Sequence, residues 1–202
     1  MKHKTISQNS DSPEDHDLIR SFCEGKKDAF DELVTKHKDR IFNLCYWFLG
    51  DFQEANDMAQ EVFLKVFRSI DKFRFESSFS TWVFRIAVNT CKNRIRSMEY
   101  RYKKWMDRLG ADPGHGNPVS LVLEDETESP QDALEKKEQT AMIRKAINSL
   151  SPDKKAVAVL RDIEGLSYEE IGKITGLNVG TVKSKLSRAR MDLKKKLGGV
   201  LK

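Results

Sequence analysis

Trp82, Arg85, Asn89, Lys92, Asn93 and Arg96 are spaced so that a helix would present them together. At about 100° per residue they share one sector, while Val83, Phe84, Ala87, Val88, Cys91 and Ile95 belong to a broad apolar face with Ile86 and Met98. Arginine and lysine answer phosphates. Asparagine pairs with a base edge. Tryptophan stacks on a base that has left the duplex. The stretch just before, DKFRFESSFS from Asp71 to Ser80, places Phe73, Phe75 and Phe79 in a short polar loop. Some of them must pack, but three aromatics exceed what packing needs, and aromatic faces beside a basic surface can take unstacked bases. Trp82 has two readings: a core aromatic under solvated charges, or a stacking platform.

A second group lies in LSYEEIGKITGLNVGTVKSKLSRARMDLKKKL, from Leu166 to Leu197. Ser167 and Glu170 form an S-x-x-E capping box, so a helix is expected from Tyr168. Gly172 allows close packing and Gly176 can end that helix in the left-handed conformation. Asn178 suits the cap of a second helix, over about Val179 to Leu197. Two helices around a short glycine turn are a helix-turn-helix. On the second helix Val182, Leu186, Ala189, Leu193 and Leu197 form the buried stripe. Gly180, Ser184, Ser187 and Arg188 face outward, flanked by Thr181, Lys183 and Lys185, a short, polar and basic set suited to a major groove. The bland alternative is the solvated face of a helical hairpin.

A third group is Asp57, Gln60, Glu61, Leu64 and Arg68, the outward side of a helix expected from about Phe52 to Ser69. Ala55, Ala59, Val62, Phe63, Val66, Phe67 and Ile70 make its core side. A leucine among acidic and amide residues either slips under a neighbouring loop or forms the apolar centre of a protein interface.

No catalytic residue is indicated, since nucleophile, metal cluster and phosphate loop are all missing from the pattern. Cys23, Cys45 and Cys91 are odd in number and far apart, and His3, His16, His37 and His115 make no ligand spacing with them, so neither disulfide, metal nor cofactor is expected. Cys45, in the apolar run Leu44 to Leu49, reads as a buried thiol. No apolar run reaches membrane-span length and the N-terminus lacks a signal core, which points to the cytoplasm.

The elements that must position these groups are helical. The chain has 202 residues, 33% of them charged, and a net charge of +5. That charge is segregated: the Arg85–Arg108 and Lys183–Lys202 stretches are basic, while Ala111 to Glu135 contains no lysine or arginine. Two basic segments around an acidic one suggest two nucleic-acid contacts joined by a linker. Residues 1–14 are expected to be disordered. Helices follow over Asp15–Glu24, from Asp28 as cap to a stop at Gly50, over the third helix, and from Ser80 as cap to about Trp105. Glycine, proline and acidic residues mark a linker over 109–131. Asp132–Leu150, with Ala146, Ile147 and Ile143 in its apolar set, is helical again. Ser151 and Pro152 open a helix packed by Val157, Leu160 and Ile163. The expected fold is all-α: two small helical domains, 15–108 and 132–202, joined by a flexible acidic linker, the second a helix-turn-helix.

The segments DAFDELVTKHKDRIF, DMAQEVFLKVFRSIDKF, FSTWVFRIAVNTCKNRIR and LSYEEIGKITGLNVGTVKSKLSRAR, with the acidic linker before the last, resemble a bacterial RNA polymerase sigma factor. The resemblance is narrower still, to the small two-domain extracytoplasmic-function group, and it spans about Asp15 to Leu197. It implies a factor that binds core polymerase, directs it to promoters and helps open DNA. Asp57, Gln60 and Glu61 match the D-x-x-Q-E segment that docks on the clamp helices of the largest subunit, with Leu64 beside them; the flap is a second expected contact. Phe75 to Ser80 matches the loop that pockets a flipped minus-ten base. Trp82 and Asn89 match the melting helix, which Phe79, Arg85, Lys92, Asn93 and Arg96 would extend. Thr181, Ser184 and Arg188 match the minus-thirty-five recognition helix, flanked by Lys183 and Lys185. Lysine stands at 183 and 185 where the family often has arginine, which bears on the promoter sequence. Promoter DNA and core polymerase are the implied partners, and an anti-sigma factor is a further one. The acidic linker either mimics nucleic acid in a polymerase channel or is only a tether. The competing readings are an autonomous helix-turn-helix regulator and a helical adaptor that binds only proteins.

Overall fold

The structure, a computed structural model, describes residues 13–109 and 130–198. Among these the chain is helical throughout: α1 (Pro13–Cys23), α2 (Asp28–Leu49), α3 (Phe52–Ser69), α4 (Phe79–Leu109), α5 (Pro130–Asn148), α6 (Pro152–Ala158), α7 (Tyr168–Thr175) and α8 (Val179–Leu197). A 3₁₀ turn follows α3 at Ile70–Lys72, and α6 runs on into a π turn at Val159–Ile163. The expected linker (109–131) and N-terminal segment (1–14) fall outside the described residues except at their ends, where Pro13, Glu14, Leu109, Pro130 and Gln131 are helical.

Local chemistry sets the boundaries. Gly50 closes α2 at φ +80°, and its N–H donates to the Tyr46 carbonyl. Asp51 then caps α3, accepting from the Glu54 N–H at 2.8 Å. Two expected caps move. Lys27, not Asp28, precedes α2 and provides no side-chain cap. Ser78, not Ser80, accepts the Thr81 N–H at 3.1 Å, so α4 begins at Phe79, ahead of the expected start at Thr81. Ser151 sits at the N-cap of α6 without a side-chain cap bond.

Helices α1–α4 bury Leu33, Ile41, Leu44, Phe48, Val62, Val66, Phe84 and Val88, and α5–α8 bury Ile147, Val157, Leu160, Ile171, Ile174 and Val182. The two bundles share one continuous core. Lys155, buried between them, donates from Nζ to the Phe48 carbonyl at 2.7 Å and to Asn148 Oδ1 at 3.0 Å. The Phe48 carbonyl is one of the four that end α2 without a helical partner, so the second bundle satisfies the terminus of the first. Arg144 stacks on the Tyr46 ring at 4.0 Å, and Arg40 reaches Glu164 at 3.2 Å. Burial pushes the Glu164 carboxyl above its ordinary value, and Arg40 offsets part of that. The left-handed φ at Gly50 favours glycine, and a Cβ there would also force the end of the Asn148 side chain to shift.

Several residues expected in the core are not there. Phe67, Met98, Ile143 and Ile163 are exposed. Helical phase gives the side a residue faces, but not whether another element covers that side.

Candidate nucleic-acid and partner-binding surfaces

The first surface is a groove of about 800 Å³ between α2 and α3. Phe30, Val34 and Phe42 line it from α2, and Ala59, Phe63, Leu64 and Phe67 from α3, with Gln60 at its edge. Leu64 is 55% exposed and Phe67 51%. Phe67 sits edge-on to Phe22 at 5.5 Å and to Phe30 at 5.1 Å, so its ring is held rather than loose. It lies three residues after Leu64, the spacing that could have placed it on the outward side. Asp57 is exposed and accepts from Gln53 Nε2 at 3.2 Å. Glu61 pairs with Lys65 at 2.6 Å. Asp31, Asp39, Asn56 and Gln60 line the groove together with a single cation, Lys38, so a mainly acidic and amide rim surrounds an apolar centre, the build of a protein interface.

The second surface is the loop before α4 and the outward side of that helix. Phe75 has φ +56°, a left-handed conformation that bulky residues rarely adopt. Its ring meets His16 and Phe73, each at 4.9 Å, and the Arg20 guanidinium lies 5.6 Å from its centre. Phe79 is buried at 1% exposure, so it is a core residue and presents no face to a base in this arrangement. Trp82 lies between the two readings. It is partly buried against Phe73 at 5.4 Å and Phe79 at 5.9 Å, and it walls a hollow of about 480 Å³. Lys72, Arg74, Arg85 and, from α7, Lys173 surround that hollow. Arg85, Asn89, Asn93 and Arg96 are exposed along α4. Lys92 is not: only 11% of its side chain is exposed, and Nζ binds Asp153 Oδ1 at 2.8 Å.

The third surface is α8. The Ser167–Glu170 capping box forms with both of its bonds, Gly176 is left-handed at φ +72°, and Asn178 accepts from the Thr181 N–H at 2.8 Å. Val182, Leu186 and Ala189 are buried, which turns Gly180, Lys183, Ser184, Ser187 and Arg188 outward. Thr181 is half-buried. Ser184 Oγ donates to the Thr181 carbonyl at 3.0 Å and keeps its lone pairs available. Lys183 Nζ lies 5.5 Å from the Tyr168 ring centre. Lys185 binds Asp153 Oδ2 at 3.1 Å. Asp153 therefore holds a cation from α4 and one from α8. The hydrogen bond from Lys92, supported by the one from Lys185, holds its carboxyl below its ordinary value against the opposing effect of burial.

Among the described residues no group of three histidine, cysteine or acidic side chains could hold a metal, and no helix is long and apolar enough to cross a membrane. Cys45 and Cys91 are buried with sulfurs 3.6 Å apart, a proximity that their sequence separation concealed. The hydrogen bond to Cys45, with burial, pushes the Cys91 thiol well up.

Residues 33–100 match the family model for Sigma-70 region 2, and residues 140–193 match that for Sigma-70 region 4. The chain is 37% identical to the RNA polymerase sigma-H factor of Pseudomonas aeruginosa, over 94% of this chain and 96% of that one. It is 37% identical to the ECF RNA polymerase sigma factor SigW of Bacillus subtilis, over 89% and 94% of the two chains. In fold it is similar to the sigma factor RpoE solved with the anti-sigma factor NepR from Bartonella quintana, with a TM-score of 0.63 and 24% identity over 86% of this chain and 98% of that one. CnrH, solved with the cytosolic domain of CnrY, aligns with a TM-score of 0.64 and 20% identity over 93% and 99%.

Proposed function

Because the chain belongs to the extracytoplasmic-function group of sigma-70 factors, which bind core RNA polymerase and direct it to promoters, we propose a role for each of the three surfaces. The α2–α3 groove, with Leu64 at its centre, Gln60 at its edge and Asp57 and Glu61 beyond, docks on the clamp helices of the largest polymerase subunit. The observation that carries this role is a half-exposed leucine and phenylalanine at the centre of an acidic and amide rim. Region 2, which we assign to residues 15–108, handles the minus-ten element. Phe75 and Trp82 receive bases of the separated strand, with Phe79 as the floor beneath Trp82. Arg85, Asn89, Asn93 and Arg96 follow the strand along α4, joined by Lys92 once Asp153 releases it.

Region 4, residues 132–202, reads the minus-thirty-five element through Thr181, Lys183, Ser184, Lys185 and Arg188, and meets the polymerase flap. The action is binding rather than catalysis, and it takes place where the polymerase is, in the cytoplasm. The acidic segment between the regions tethers them. An anti-sigma factor is a further partner, as it is for the RpoE of Bartonella quintana solved with NepR.

Arg188→Ala tests the recognition helix. If Arg188 makes a bidentate base contact, the variant holoenzyme loses about 1–3 kcal/mol at the upstream element and tolerates other bases at that position. Promoter binding is measured across single-base variants of the site. An equal loss on every sequence would mean that Arg188 touches phosphate only, and readout would pass to Thr181, Ser184 or Lys185.

A further inference from the structure

Packing of the two bundles creates a cleft that neither possesses alone. It measures about 280 Å³ and is lined by Arg96 from α4, Ser151, Asp153 and Lys154 at the start of α6, and Lys185 and Arg188 from α8. Its charge is unbalanced. Lys92, Arg96, Lys154, Lys185 and Arg188 are gathered around Asp153 and Asp192. Asp153 is shared by Lys92 and Lys185, and Asp192 is taken by Lys154 at 2.6 Å. Arg96 and Arg188 have no carboxylate partner among the described residues, although closure brings them to the same cleft. Both guanidinium groups are exposed to solvent and line the same cleft, so its walls carry more positive than negative charge.

The chemistry that suits these walls is specific. A guanidinium presents a planar fork of donors that matches phosphate oxygens two at a time, and lysine adds a point charge. Ser151 contributes a hydroxyl that makes no cap bond to α6. The volume lies at the small end of ligand sites, which suits a compact anion and excludes a duplex between the walls. We propose that this cleft binds a small phosphate polyanion, a diphosphate or longer, with Arg96 held to it from region 2 and Lys185 and Arg188 from region 4. A chain of two or three phosphates offers more oxygens to the cations of the two walls than a single phosphate does. Such a ligand holds the bundles together and, because it occupies Arg96, Lys185 and Arg188, displaces DNA from them. Only that displacement rests on the DNA roles proposed above; the site itself does not.

Calorimetric titration of the full chain with orthophosphate, pyrophosphate and ATP, at constant ionic strength, tests the site. Saturable binding of pyrophosphate and ATP is expected, with orthophosphate weaker. Arg96→Ala and Arg188→Ala should each weaken pyrophosphate at least tenfold, while Lys26→Ala, at an exposed position in the turn before α2, should leave it unchanged. Equal affinity for pyrophosphate and ATP identifies the phosphate chain as the whole ligand; tighter ATP binding identifies a nucleotide, and both support the site. Absence of saturable binding overturns it. So does an equal loss in Lys26→Ala, which would mean diffuse charge, or full binding in Arg96→Ala, which would mean one bundle suffices. Pyrophosphate should also weaken binding of a short duplex to the wild-type chain. If pyrophosphate binds as expected and the duplex is unaffected, the site stands and the DNA roles of these residues fall.

Discussion

A chain with Gln60, Glu61 and Leu64 all changed to alanine binds core RNA polymerase about thirtyfold to a thousandfold more weakly than the parent, a loss of roughly 2–4 kcal/mol. Fully burying a leucine contributes about 1.5–3 kcal/mol, and Leu64, 55% exposed, still has about half of that to gain on docking. Each polar partner left without its hydrogen bond adds about 1 kcal/mol, and more where a charge is involved. The fold should persist. Gln60 and Leu64 are exposed, and the Glu61–Lys65 pair is an i,i+4 contact on the helix surface that contributes about 0.3–0.5 kcal/mol. Circular dichroism and thermal unfolding verify the fold, and a fluorescence competition assay against labelled parent measures the affinity. Parental affinity in a folded triple variant would remove the groove from the docking surface.

Trp82→Ala leaves core binding and duplex occupancy near the parental level but slows promoter opening about tenfold to a hundredfold, because base–aromatic stacking contributes roughly 1–3 kcal/mol per base. Removing a fully buried tryptophan would instead cost about 3–5 kcal/mol of stability. Trp82 is only partly buried, over a floor of Phe73 and Phe79 that the variant retains, so a smaller stability loss and a folded protein are expected. The two effects separate on paired templates. Transcription from an ordinary duplex should collapse, and transcription from a template with a pre-opened bubble should largely recover. Asn89→Ala should behave otherwise, losing discrimination between bases more than the capacity to open. A folded Trp82→Ala protein that opens duplex at the parental rate would show that the residue is only the roof of the core.

The helix-turn-helix was legible almost residue by residue because its determinants are local. Ser167 with Glu170, Gly176 and Asn178 each act within four residues, so their types alone place the ends of α7 and α8. The outward side of α3 was legible for the same reason. Depth was not. Phe79 and Phe67 are both phenylalanines beside a basic or acidic surface, yet one is buried and the other half-open, because α2 and Trp82 cover the first while Phe22 and Phe30 cover only part of the second. Ser80 read as the cap of α4, but the bond of Ser78 to Thr81 puts the cap two residues earlier.

The junction between bundles was the least legible part. It depends on single long-range partners: Lys155 with Phe48, Arg40 with Glu164, and Asp153 with Lys92 and Lys185. None of these has a spacing signature, and a lysine or aspartate on a short helix reads as solvated until its neighbour is known. The consequence reaches the functional surfaces. Two cations that the sequence assigns to separate DNA elements, Lys92 and Lys185, are tied to one carboxylate, so simultaneous contact with both elements requires that Asp153 let go.

Promoter selection with reconstituted holoenzyme tests the central claim most directly. Core polymerase free of other sigma factors is incubated with a library of DNA fragments, with and without the chain, and the transcripts are mapped. The expected result is a set of start sites that appear only with the chain, each preceded by two recurring sequence elements at fixed spacing, and that disappear with the Gln60, Glu61 and Leu64 alanine variant. Selective DNA binding by the chain alone, with no transcript that depends on adding it to core, would contradict the claim and leave an autonomous helix-turn-helix regulator in its place.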